Sequence, residues 1–190
     1  MVKALELSPD GLPDEALSFA HEVGVIPTKD ARVADVFQYL NVIHPSVTCS
    51  VDGDQAGNDY IATCCALQRP PAAIVRWPDG WAIENVIGWI VEADVGILAG
   101  DELQAAGLPQ NAADFVTALS GPKKRDEILH GLIADAMTDS LLCRRRIGHL
   151  LRTLADISAR RAPVEGSAAG IGQNNGVTTV WTFNHAFPGV

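Results

Sequence analysis

The 190-residue chain has no apolar run near the ~20 residues that a membrane-spanning helix needs. Its start, MVKALELSPDG, lacks the long apolar segment and small-residue cleavage site of a secretory signal. A cytoplasmic protein without membrane contact is the expectation. Cysteine is sparse: Cys49, Cys64, Cys65 and Cys143 have no metal-ligand spacing, and neighbouring Cys64 and Cys65 point to different sides of a helix. They read as reduced packing residues, not as zinc ligands or disulfides. No G-x-x-x-x-G-K-[ST] occurs, so the chain has no phosphate loop for ATP hydrolysis. Ser50 lacks the glycines of a nucleophile elbow. His21, His44, His130 and His149 are scattered without partner spacing, and core or surface roles outweigh catalysis for each. There is no internal repeat.

What is present suits one globular core with decorations, since 47% of the residues are hydrophobic. The net charge of −9 would argue against nucleic acid as a partner, but the charge is unevenly spread. Residues 123 to 161 hold nine Lys or Arg against five acids, a balance of +4, which leaves −13 on the remainder. A basic surface facing phosphate beside an acidic metal site would produce this asymmetry, and so would two solvated helix faces.

Short apolar runs at 2–7 (VKALEL), 22–26 (EVGVI), 46–51 (SVTCSV) and 72–77 (AAIVRW) read as strands. Helical patterns alternate with them: one opening at Pro13, one with Asp30 as its cap and Val33, Val36, Phe37 and Leu40 on one face, and one starting near Ala56. This alternation predicts an α/β fold with a mostly parallel four-stranded sheet flanked by helices. After the fourth strand only helices are expected, as a C-terminal appendage. From Pro163 the sequence EGSAAGIGQNNG is too poor in large apolar residues to bury much, and VTTVWTF beyond it could add an edge strand or dock on a partner. The resulting division is a core over 1–95, a helical appendage over 96–162 and a flexible or partner-docking tail over 163–190.

The stretch VDGDQAGND, residues 51–59, ends a buried strand with two carboxylates. Crowded carboxylates raise each other's pKa unless a cation or hydrogen-bond donors stabilise them, so something positive is expected nearby. A calcium EF-hand loop is excluded, because the fifth and twelfth positions counted from Asp52 are Ala56 and Thr63. A plain chain reversal at Asp-Gly remains open, whereas Asp52 and Asp54 at the carboxyl end of a strand could share one hard cation.

VDGDQAGNDYIATCCAL resembles the D-x-D motif of the Toprim domain, in the D-G-D-x-A-G form of bacterial primases. The resemblance implies a Toprim-like, Rossmann-like fold and assigns Glu6, at the end of VKALEL, as the first-strand glutamate, with Asp10 four residues on. Leu7 stands where the family usually has Gly. Within the family, residues 77–161 are most similar to nucleases of the overcoming-lysogenization-defect (OLD) branch, which implies Glu84 as a further metal-binding acid and Lys123 and Lys124 as catalytic lysines. Catalysis would then rest on Glu6, Asp52, Asp54, Lys123 and Lys124, with Glu6, Asp10, Asp52, Asp54 and Glu84 holding Mg²⁺ or Mn²⁺ for hydrolysis of phosphodiester bonds. The implied setting is phage defence. The implied partners are DNA ahead of RNA and an ABC-type ATPase, in trans or in a longer chain, with a homodimer among the options. The alternative is a catalytically weak Toprim-fold module that binds nucleic acid or a protein. Topoisomerase chemistry, which needs a nucleophilic tyrosine, is disfavoured because Tyr39 and Tyr60 fall on helices read as core.

Overall fold

The computed structural model describes residues 26–28, 32–44, 46–173 and 176–186. The strands expected at 2–7 and 22–26, the helix opening at Pro13 and the Asp30 cap lie outside these residues, apart from Ile26, which is in no strand. Among the described residues the chain divides into two compact units. One runs from Ile83 to Leu150, and the other combines residues of His21–Ala82 and Leu151–Gly189. The divisions therefore fall after Ala82 and Leu150, against boundaries expected at 95 and 162.

The second unit holds the sheet. Helix α1, Val33–Ile43, precedes strand β1, Cys49–Val51; helix α2, Gln55–Cys65, follows, and then strand β2, Ala73–Arg76. Strands β3, Ala168–Gln173, and β4, Thr178–Phe183, complete the order β1-β2-β4-β3. The β1/β2 and β2/β4 pairs are parallel and β3/β4 is antiparallel. This is the expected α/β architecture with a mostly parallel four-stranded sheet, but two of the four strands come from the segment expected to be a tail. That segment has little to bury of its own, and its cover comes from the neighbouring strand. Gly170 pairs with Trp181, and a side chain added at Gly170 would meet the indole at about 2.9 Å. The ring thus lies over Gly170, while most of β3 stays exposed.

Strand β4 lies inside the sheet, where Thr178 Oγ1 donates to the Pro71 carbonyl at 2.7 Å, a bond between buried atoms 107 residues apart. Ala73, Ile74 and Val75 of β2 are all buried, the continuous apolar run of a strand covered on both faces. Phe37, Cys49, Val51, Cys64, Ile74 and Val180 form the core, with Val33, Tyr60, Ile61 and Leu67 packed against it. Fully burying an aliphatic side chain such as Ile74 contributes about 1.5–3 kcal/mol. Tyr39, expected in a core, is 77% exposed on α1. All four cysteines are free, and Cys49, Cys64 and Cys143 are buried.

The other unit is helical: α3, Ile83–Val91; α4, Asp101–Ala105; α5, Ala112–Ser120; α6, Glu127–Asp139; and the start of α7, Leu141–Ser158. Short 3₁₀ turns at Val95–Ala99 and Pro122–Arg125 join them. Asn111 and Asp126 cap α5 and α6 by accepting from the Asp114 and Leu129 amides at 2.9 and 3.0 Å. Helices α3 and α5 approach closely at Gly88, where a Cβ would fall 2.2 Å from Val116 Cγ2. Arg146 places its guanidinium 5.0 Å from the Trp89 ring centre and donates to the Trp89 carbonyl, so this member of the basic stretch is spent on packing. No helix among the described residues is long and apolar enough to cross a membrane.

Candidate functional site

The acidic turn owes its shape to two glycines and a cap. Strand β1 ends at Val51, and Asp54, with extended φ and ψ of −99° and −171°, is the N-cap of α2. Its Oδ1 accepts from the Gly57 amide at 2.8 Å, and the carboxylate also suits the positive end of the helix dipole. A Cβ on Gly57 would lie 1.8 Å from the Asp52 carbonyl oxygen, so only glycine lets the first turn of α2 approach the strand end. Gly53 is constrained equally from the other side: its Cβ would lie 1.8 Å from the Pro78 carbonyl oxygen. The Gly53 amide donates to the Trp81 carbonyl at 2.7 Å, and the Gly80 amide donates back to the Gly53 carbonyl at 2.9 Å. The turn after β1 and the loop after β2 therefore form one rigid piece. Gly80, with φ of +75°, supplies the left-handed residue that loop requires.

Arg76 supplies a positive charge at this turn. Register places Val51, Arg76 and Thr182 side by side across β1, β2 and β4, so the carboxyl ends of three parallel strands share one edge. The Arg76 side chain, only 14% exposed, donates to the Gly53 carbonyl at 2.9 Å, to Asn58 Oδ1 at 3.1 Å and to Asp79 Oδ1 at 2.6 Å. The Asp79 pair is solvent-facing and contributes little. The charge-assisted bond to Gly53 acts on the backbone between the two carboxylates and holds it in place.

Asp52 is half-buried and Asp54 exposed at the same edge. Glu6 and Asp10 lie outside the described residues. In the helical unit, Glu84 and Lys124 meet: buried Glu84, in the first turn of α3, accepts from the Lys124 ammonium at 2.8 Å. Lys123 is half-buried and donates to the Ala106 and Gly107 carbonyls, the latter at 3.1 Å, closing the end of α4. Asp52 and Asp54 thus belong to the sheet unit, and Glu84, Lys123 and Lys124 to the helical unit. Among the described residues no three His, Cys, Asp or Glu side chains gather where one metal ion could be held.

Two groups at the sheet edge escaped the sequence reading. Arg76 had a visible signal, as a lone cation closing an apolar strand beside the acidic one. His185 had none: it enters because β4 runs parallel to β2, which carries it past the same edge. Its ring stacks on Trp81 with centres 4.5 Å apart and planes tilted by 38°. Trp77, one residue past β2, and Phe183, the last residue of β4, pack edge to face at 6.3 Å and brace the two strand ends. Compared with known proteins, the chain matches no family model, no curated protein and no solved structure.

Proposed function

We propose that the chain is a divalent-metal-dependent nuclease, a Toprim domain of the OLD branch that hydrolyses phosphodiester bonds in DNA in company with an ABC-type ATPase. The observation that carries this reading is the acidic turn. Two carboxylates stand at the carboxyl end of a parallel strand, on a backbone that glycines and Arg76 hold in one conformation. Ligands of α/β sheets bind at such strand ends. The donor chemistry fits Mg²⁺ or Mn²⁺, which prefer oxygen ligands and commonly take one or two carboxylates together with substrate phosphate.

Asp52 and Asp54 would hold the ion, with Glu6 as third ligand. When bound, the ion activates water and stabilises charge on the scissile phosphate. Asp54 is oriented for its part by the Gly57 amide. Arg76 keeps the Gly53 carbonyl, between the two acids, in register.

The test is nicking of supercoiled plasmid in Mn²⁺. The wild type is expected to cut, and Asp52→Ala, Asp54→Ala and Glu6→Gln are expected to abolish cutting. Wild-type protein that leaves plasmid intact at micromolar concentration would sink the reading. A second reading, a catalytically weak module of the same fold that binds nucleic acid or a protein, is favoured by the two lysines. Lys123 is engaged with backbone carbonyls and Lys124 with Glu84. It predicts binding without cutting in every variant.

A further inference from the structure

A row of apolar side chains crosses the whole sheet and stops in the open. Register sets Cys49 of β1 beside Ile74 of β2, Ile74 beside Val180 of β4, and Val180 beside Ile171 of β3. Opposed residues share a face of a sheet, so these four side chains stand on the face that carries the core. Cys49, Ile74 and Val180 are buried in that core, whereas Ile171, at the end of the row, is 63% exposed. Strand β3 is also an edge of the sheet: among the described residues it pairs with β4 alone. It therefore turns a line of backbone N–H and C=O groups outward, a template for a further strand. Natural edges are commonly blunted by shortness, Pro, Lys or a bulge. At the opposite edge, β1 is only three residues long. Strand β3 has six residues, with no Pro and no charge among them, and its register with β4 runs without a bulge.

We propose that β3 is a self-pairing edge: two copies of this chain join antiparallel through it, Ile171 against Ile171, into one continuous sheet. The inference is independent of the nuclease reading. Two observations select a second copy as the occupant. The first is the unfinished row. In an antiparallel ladder the hydrogen-bonding groups of opposed residues both point toward each other or both away, so a two-fold axis must set one residue of β3 against its own copy. Centring on Ile171 brings the two exposed side chains to about 5 Å, Cβ to Cβ, and each copy completes the other's row. Centring on Gly170 would oppose two residues that have no side chain to pair. The second observation is charge. Copies of a chain with net charge −9 repel one another, but no Asp, Glu, Lys or Arg follows Glu165, so the pairing strands add nothing to that repulsion. Residues 169–173 of each copy would oppose, an interface smaller than the ~1,200 Å² of a standard stable complex, so the dimer is reversible, with a Kd of about 10 μM. The axis reverses strand direction, which puts the acidic turns of the two copies at opposite ends of the shared sheet.

The experiment is sedimentation velocity of the full chain from about 1 to 100 μM. The wild type is expected to pass from monomer to dimer across that range, and Ile171→Val to do the same. Ile171→Lys and Ile171→Glu each set like charges directly across the axis and should weaken dimerisation by about tenfold or more. An equimolar mixture of these two variants should recover a dimer with one chain of each kind, because opposite charges then face each other. Ile171 is largely exposed, so both variants should keep the circular dichroism of the parent, and the recovered dimer would itself show that they fold. A wild type that stays monomeric across the whole range would overturn the proposal and leave the edge to a strand from another protein. A dimer that survives both charged substitutions forms through a different surface and would overturn it as well. So would charged variants that remain monomeric when mixed.

Discussion

At the scale of single residues, the acidic turn is a set of steric and electrostatic requirements packed into six positions. Gly57→Ala would drive a methyl group into the Asp52 carbonyl oxygen, which backbone atoms on both sides prevent from yielding. The expected loss is about 3 kcal/mol, at the upper end for overpacking, read as the shift in urea midpoint. A variant within ~0.5 kcal/mol of the parent would show that α2 can retreat from the strand. The turn was legible in the sequence because its causes are local: both glycines, the cap and the two acids lie within D-G-D-Q-A-G. Arg76 and His185 were not, because strand pairing and not spacing brings them to the turn. A second residue-scale expectation concerns His149, whose imidazole burial holds below the usual histidine value. The unfolded chain then takes up its proton first as pH falls, so stability is complete above about pH 6.5 and declines below it. The urea midpoint should drop between about pH 7.5 and 5.5, and His149→Gln should flatten that slope. An unchanged slope would remove His149 as its source.

At the scale of elements, the informative case is the hairpin of β3 and β4. A strand reading AAGIGQ carries almost no apolar surface, and composition alone marks it as loop. It is a strand because the neighbouring strand supplies both the ladder and the cover, with Trp181 over Gly170. Removing that cover with Trp181→Ala should cost about 1–2 kcal/mol and speed amide exchange along β3, whereas Trp181→Phe should retain most of the protection. Exchange along β3 that is equally slow in the alanine variant would mean the ladder stands without the ring. Helices α1 and α2 were legible within a few residues, and the helical character of the segment after β2 was legible as well, since these helices carry their own apolar periodicity and, in α5 and α6, their own cap. The interior position of β4 was hidden, because an alternating strand reads the same at an edge as between two partners.

At the scale of the whole molecule, the sheet is assembled from both ends of the described chain, with the helical unit inserted between β2 and β3. A chain truncated after Pro163 is therefore expected to lose both β3 and β4, leaving β2 without its second partner, and with them the cooperative unfolding of the sheet unit. Circular dichroism in the aromatic region and urea titration would check this, and a truncated chain with the full-length midpoint would return the segment to the status of a dispensable tail. The bond from Thr178 to the Pro71 carbonyl, between residues 107 apart in sequence, also sets an order of events. During synthesis the helices of the inserted unit are made between β2 and β4, so β2 waits for this neighbour until the insertion has been completed. Joining such distant segments carries a large loop-closure entropy that only the completed sheet offsets, which makes closure of this edge a late and slow step. The acidic turn is translated before the inserted unit, yet the edge that would make it a site closes only after that unit and β4 have followed.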